Sequence, residues 1–156
     1  MNGVLVKRAY TSGDMAHVWA IREQVFVQEQ GVPSGLEMDE QDSLALHSLA
    51  WLNDEPIGAG RLLWLPDGLA RIGRMAVKFQ FRRQSIGGLI LNFLEGEAFN
   101  AGTYKIELHA QSYVKAFYRL HGYILEGSPF LEAGIEHVYM YRIMAYTHGS
   151  QDADPK

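Results

Sequence analysis

The stretch RMAVKFQFRRQSIGGLILNFLEGEAF, residues 74–99, decides how this chain is read. Its first residues read as the end of a strand. Its last part places Ile86, Leu89, Ile90, Phe93, Leu94 and Ala98 at the i, i+3, i+4 spacing of an amphipathic helix. Between the two stand Arg82, Arg83, Gln84, Ser85, Ile86, Gly87 and Gly88. A strand that feeds a glycine-bearing turn and then a helix start makes an anion site. The first helical N–H groups have no intrahelical acceptor, and the macrodipole is positive there. Glycines let a ligand come close to the backbone. Ser85 is the expected N-cap, and Gly102 the expected stop. Residues 71–83 hold Arg71, Arg74, Lys78, Arg82 and Arg83 and no acid. A phosphorylated ligand explains that cluster; a solvated basic surface, with Ser85 as a simple cap, is the alternative.

Outward from this stretch, residues 4–9 read as a first strand, and Met15, Val18, Trp19, Val25 and Phe26 as a helix running to about Gln28. Ser12, Gly13 and Asp14 supply its polar capping candidates. Gly31 and Pro33 end it. The following stretch carries Glu29, Glu37, Asp39, Glu40 and Asp42 with no Lys or Arg. It reads as a loop or short helix with an acidic surface, either simply solvated or a lure for a cationic substrate. Two apolar runs, 45–52 and 57–65, flank Asn53-Asp54-Glu55-Pro56 as a hairpin, and 69–77 reads as the next strand. After the helix come a strand at 103–110, a short helix at 112–122 and a last strand at 137–144. Six strands in the order β-α-(α or loop)-β-β-β-α-β-α-β indicate an α+β fold with a mostly antiparallel sheet. One domain over residues 1–146 is expected, with 147–156 as a disordered tail.

Composition narrows the function. The chain has 156 residues, a formal net charge of −4 and no cysteine. An acidic balance disfavours nucleic acid as the main partner. Without cysteine there is no disulfide, thiolate metal site or cysteine nucleophile. His47, His109, His121 and His137 have no zinc-ligand spacing, so no metal is expected. No leader and no membrane-length apolar run stand out, so a cytoplasmic protein without membrane partners is expected. The Walker and dinucleotide glycine patterns are absent, and Arg83 at the first glycine position excludes a G-x-S-x-G elbow around Ser85.

RIGRMAVKFQFRRQSIGGLILNFLEGEAF (71–99) resembles the acetyl-CoA motif of the GNAT superfamily of N-acetyltransferases. The signature [QR]-x-x-G-x-[GA] falls on Arg82-Arg83-Gln84-Ser85-Ile86-Gly87, with Ser85 in place of the first glycine. IELHAQSYVKAFYRLHGY (106–123) is similar to the family's later strand and helix. IREQVFVQEQGVPSGLEMDEQDSLALHSLA (21–50) and FLEAGIEHVYM (130–140) resemble a bacterial subgroup whose substrates are mostly unassigned. The resemblance spans residues 4–144. It implies a mixed, mostly antiparallel central sheet with helices on both faces, and transfer of an acetyl group from acetyl-CoA to a primary amine of a small molecule or peptide.

It also implies roles. The backbone of Met75, Ala76 and Val77 would bond the pantetheine arm as an added strand. The amides of residues 83–88 would cradle the pyrophosphate, with charge from Arg82 and Arg83. Gln111 would contact the cofactor or substrate. Tyr118 matches the tyrosine near the thioester sulfur and would give a proton to the leaving thiolate, unless Phe117 and Tyr118 are core aromatics only. An amine like that of lysine is almost wholly protonated at pH 7, so a proton acceptor is needed. Glu29, Glu37, Asp39, Glu40, Glu107 and His109 are candidates, and strand geometry sets Glu107 and His109 on one face. Two other function classes compete: a non-catalytic acyl-CoA sensor, suggested by Ser85, and nucleic-acid binding through the basic cluster. Apolar edge strands, the last one rich in Tyr and Met, suggest a homodimer.

Overall fold

A computed structural model describes residues 3–144. The chain divides into two compact units, one of residues up to Leu63 with Ile72–Leu94, the other of Trp64–Arg71 with residues from Glu95 onward. Seven strands run in the order β1-β2-β3-β4-β5-β7-β6, in a mixed, mostly antiparallel sheet of an α+β fold.

In the first unit, β1 (Val4–Arg8) leads into α1 (Ser12–Arg22). The cap is Thr11 rather than Ser12. Its hydroxyl accepts from the Asp14 N–H at 3.0 Å, and the Asp14 carboxylate accepts from the Thr11 N–H at 3.2 Å. This reciprocal box fixes the helix start. The helical path continues to Glu29, as its apolar spacing predicts, but Glu23–Glu29 is wound as a π-helix. A one-turn helix, α2 (Ser34–Glu37), and a 3-10 turn, Glu40–Leu44, follow. β2 (Leu46–Leu52) and β3 (Glu55–Leu65) form the expected hairpin.

The helix α3 (Ile86–Asn100) buries Ile86, Ile90, Leu91, Leu94 and Ala98. A Cβ on Gly58 or Gly60 of β3 would stand 2.8 Å from the Ile90 side chain, so glycine at both positions lets helix and strand meet without a shift of that side chain. A second apolar cluster, Val18, Ile21, Val25, Leu49 and Ala59, sits under α1.

Of β4 (Leu69–Val77), the residues Leu69–Arg71 belong to the second unit, where they pair parallel with Lys105–Glu107 of β5 (Lys105–Gln111). After β5 come the 3-10 turn Ser112–Val114 and α4 (Lys115–Leu120). β7 (Ile135–Ile143) lies antiparallel between β5 and β6 (Ile124–Glu132). β6 corrects the six-strand expectation. Gly127 and Pro129 interrupt its pattern, the register shifts between Glu126 and Phe130, and most of the strand is exposed. The last strand is interior, so the edge argument for a dimer does not apply to it; the edges are β1 and β6. The expected tail over 147–156 lies outside the described residues.

Candidate active site

The stretch 74–88 is built as its sequence suggests, and its backbone is strained. Arg74, Arg83 and Ser85 have φ of 51°, 64° and 65°. Side-chain-bearing residues in this left-handed region cost on the order of 1–3 kcal/mol each, and such residues concentrate at functional sites. Ser85 thus holds the conformation that glycine would take without strain. The serine-for-glycine departure therefore leaves a glycine-type backbone in place, which removes the ground offered by Ser85 for a non-catalytic sensor. The first helical bond runs from the Leu89 N–H to the Ser85 carbonyl at 3.2 Å. The N–H groups of Ile86, Gly87 and Gly88 precede it, at the positive end of α3.

The basic cluster is mostly paired, which corrects the picture of five arginines and lysines waiting for phosphate. Arg71 Nε donates to Glu107 at 2.9 Å. Lys78 stands 3.8 Å from Glu55. Arg82 forks onto Glu29 at 2.9 and 2.7 Å, and its Nε donates to the Val77 carbonyl at 2.8 Å. That carbonyl is one of those assigned to the pantetheine arm. Arg83, exposed, makes no hydrogen bond or ion pair among the described residues. Met75 and Gln84 are half-buried and Ala76 is buried.

The acidic stretch is neither a solvated loop nor a lure. Arg22, 1% exposed, donates from Nε to Glu37 at 2.7 Å and from Nη1 to Asp42 at 2.8 Å, with side chains 4% and 8% exposed. Its Nη2 donates to the Glu37 carbonyl at 2.9 Å. Arg61 bonds Asp39 at 2.8 Å and Asp42 at 2.9 Å. Arg74 reaches the Glu37 carbonyl at 2.9 Å and Asp39 at 3.2 Å. Burial of Asp42 opposes its ionisation, but Arg22 and Arg61 outweigh it and hold the carboxyl at about 2. Against this cluster His47 Nε2 lies 2.9 Å from the Asp42 carbonyl, and burial lowers the imidazole's pKa. The π-helix and Arg74's left-handed backbone meet this cluster at Arg22 and Arg74, a coupling that no local pattern announces.

In the second unit Tyr118 is buried on α4, its ring edge-on to Phe117 and Tyr123. Burial raises its pKa, so the phenol keeps its proton at neutral pH. Gln111 ends β5, half-buried. The next residue, Ser112, carries a buried hydroxyl with no hydrogen-bond partner among the described residues. Nothing in its spacing singled it out. Glu107 and His109 do share a face of β5, but they do not pair. Glu107 holds Arg71 and accepts from the Tyr139 hydroxyl at 3.0 Å, and His109 Nδ1 lies 2.8 Å from Glu132. Of the other proton-acceptor candidates, Glu29, Glu37 and Asp39 are committed to arginines, and Glu40 is exposed. The four histidines bind separate groups: His121 Nδ1 faces the Phe117 carbonyl and His137 Nδ1 the Ile135 carbonyl.

An acetyltransferase (GNAT) domain model matches residues 8–143. The "Uncharacterized N-acetyltransferase YjcF" of Bacillus subtilis is 36% identical over 91% of this chain and 99% of its own length. A protein of known structure from Lactobacillus plantarum superposes with a TM-score of 0.85 at 28% identity, covering 92% of this chain and 99% of that one. A Bacillus subtilis acetyltransferase solved in complex with CoA has a TM-score of 0.70 at 17% identity over 90% and 99% of the two chains. The chain belongs to the GNAT acetyltransferase family. It is an acyltransferase of the N-acetyltransferase type.

Proposed function

We infer that the protein transfers the acetyl group of acetyl-CoA to a primary amine of a small molecule or peptide. The observation that carries this reading is the start of α3. Three N–H groups ahead of the first helical bond follow a turn held in glycine-type geometry, with Arg83 exposed beside them. This is the chemistry of a diphosphate site. Ile86, Gly87 and Gly88 would bind the pyrophosphate through their amides, with Arg83, Gln84 and Ser85 lining the turn. Arg82 would contribute charge while tied to Glu29, and Met75, Ala76 and Val77 would pair with the pantetheine arm. Gln111 would contact cofactor or substrate.

Tyr118 would supply the proton that the departing sulfur takes up. Burial keeps the phenol protonated at neutral pH, so its O–H is available as a donor to the departing sulfur, although the same burial makes it a weaker acid than an ordinary tyrosine. A thiolate whose thiol has a pKa of about 8.5 leaves fairly well unaided, and a proton delivered to the sulfur as the C–S bond breaks eases its departure further. No helix among the described residues is long and apolar enough to cross a membrane. The test is thiol release from acetyl-CoA over a panel of primary amines, with acetylated product identified by mass. Acetyl-CoA binding without product on any amine would refute transfer, and no binding at millimolar acetyl-CoA would refute the diphosphate site.

A further inference from the structure

Among the described residues, Arg74 is the one side chain other than glycine that holds a left-handed backbone inside a strand, with φ of 51° in β4. Asn53, Asp67 and Ala133 hold theirs in the connections between strands, and Arg83 and Ser85 in the turn before α3. The penalty of this conformation is steric and falls on any residue with a Cβ. A strained residue persists where its surroundings over-determine it. For Arg74 the surroundings are hydrogen-bond partners. Its Nε donates to the Glu37 carbonyl at 2.9 Å, and its Nη2 donates to the Asp39 carboxylate at 3.2 Å and to the Leu36 carbonyl at 3.4 Å. These partners are themselves held. Arg22 keeps the Glu37 carboxylate at 2.7 Å and Arg61 keeps Asp39 at 2.8 Å. Asp39 also caps its 3-10 turn by accepting from the Gln41 N–H at 3.1 Å. The guanidinium is thus an anchor between β4 and the end of α2, with the side chain 21% exposed.

A left-handed residue in a strand acts as a bulge does. It turns the peptide that follows it out of the regular ladder direction and re-aims what comes next. The peptide after Arg74 carries the Met75 N–H, the first group of the segment assigned to the pantetheine arm. The Met75 side chain is fixed from the other side of β4, where its sulfur stands 3.2 Å from the place a Cβ on Gly60 would take. Arg74 and Met75 are therefore pinned in opposite directions on either side of the turned peptide. All of these residues belong to the first unit.

We propose that Arg74 is a positioning residue for the acyl donor: its anchored guanidinium holds the left-handed turn that aims the backbone of Met75, Ala76 and Val77 at the pantetheine arm. The inference rests on the acyl-CoA reading. It gives this member of the basic cluster a task other than charge for phosphate. The guanidinium acts through the backbone and touches no ligand.

Calorimetry of acetyl-CoA, with ADP as a ligand that has the diphosphate but no pantetheine arm, tests this on folded protein well below its melting temperature. Arg74→Ala keeps the Cβ penalty and loses the anchor, so β4 relaxes and binding must restore the turn. Its acetyl-CoA affinity should fall about 5–30-fold, which corresponds to a left-handed penalty of about 1–2 kcal/mol. Arg74→Gly loses the same anchor but takes this φ without penalty, so its affinity should stay within about threefold of wild type. ADP, measured by displacement of acetyl-CoA, should bind both variants as it binds wild type. Asp39→Asn weakens the anchor without touching β4 and should cost about two- to fivefold, the scale of one ion pair near the surface. Added to Arg74→Gly, it should cost nothing more, because the anchor is already gone. This last pair carries the test even if Arg74→Ala does not fold. Equal losses in Arg74→Ala and Arg74→Gly would mean that the guanidinium itself meets the ligand, and would overturn the inference. So would no loss in either, a parallel loss for ADP, or an Asp39→Asn effect that persists in Arg74→Gly; each leaves the acyl-CoA reading standing. If the wild type does not bind acetyl-CoA at millimolar concentration, that reading and this inference fall together.

Discussion

Arg22 is the side chain whose replacement the structure prices most clearly. Arg22→Met keeps the length and the apolar stem but removes the guanidinium from between Glu37 and Asp42. Removing one partner of a buried ion pair costs about 3–5 kcal/mol, because the remaining charge is left in a poor solvent. Here the lower end applies. Arg61 still reaches Asp42 at 2.9 Å, and Arg74 stands 3.3 Å from Glu37. A loss of about 3 kcal/mol lowers the melting temperature of a domain this size by roughly 6–12 °C. Urea denaturation of both proteins at pH 7 reads the difference directly. Adding Glu37→Gln should recover part of it, since one stranded charge disappears, and the non-additivity measures the coupling. The pH dependence is a second check. The Asp42 carboxyl is held at about 2 against an ordinary 3.8. A carboxyl depressed in the folded state stabilises the fold above its unfolded value and loses that contribution as pH falls through the folded one. The gap between wild type and Arg22→Met should therefore be full above about pH 4 and narrow toward pH 2. A gap below about 1 kcal/mol at neutral pH would refute the reasoning, and so would one that stays constant on acidification.

The arginine pair should separate by role. Arg83→Ala should weaken acetyl-CoA, by calorimetry, with little change in melting temperature, whereas Arg82→Ala should lower the melting temperature as well, because it frees Glu29 and the Val77 carbonyl. If both variants lose affinity and stability alike, the two arginines do not divide the work. Ser85→Gly should raise stability slightly, since relief of a left-handed backbone worth about 1–2 kcal/mol exceeds the roughly 0.5–1 kcal/mol entropic cost of a glycine. A clear fall in acetyl-CoA affinity would mean that the hydroxyl itself touches the ligand. Tyr118→Phe should reduce kcat by at least tenfold and leave acetyl-CoA affinity within twofold; a kcat within about twofold of wild type, roughly 0.4 kcal/mol of barrier, would make Tyr118 a packing residue.

Elements with a strong local period were legible in the sequence. The β2–β3 hairpin, β5 and α3 fall within a few residues of their expected bounds, because alternation and helical spacing are local signals. β6 was not legible. Its pattern is broken by Gly127 and Pro129, and it lies at an exposed edge where few apolar residues are required. The acidic stretch was misread for a different reason. Glu37, Asp39 and Asp42 have no base near them in sequence, and their partners Arg22, Arg61 and Arg74 lie 15 to 37 positions away. Charge pairing at that range leaves no spacing rule. The glycine turn at 82–88 could be read as an anion site, but the left-handed φ of Ser85 and the commitment of Arg82 to Glu29 could not. The pairing of His109 with Glu132 spans 23 positions and two strands, and β5 alternation hinted only at Glu107 as a neighbour.

The interior place of β7 has a consequence for how the chain is made. β5 must wait for a partner that the ribosome delivers only after β6: Lys105 pairs with Ile143, and Gln111 with His137. Until then β5 exposes one backbone edge, and β6 has nothing to pair with. The β6–β7 hairpin, closed by Glu132 facing Ile135, is the local contact that can form first and then dock as a unit. A message that stops before residue 135 would not yield a protein shortened at its rim. It would yield one with the middle strand of its second unit missing, leaving β5 and β6 as open edges prone to pair with other chains.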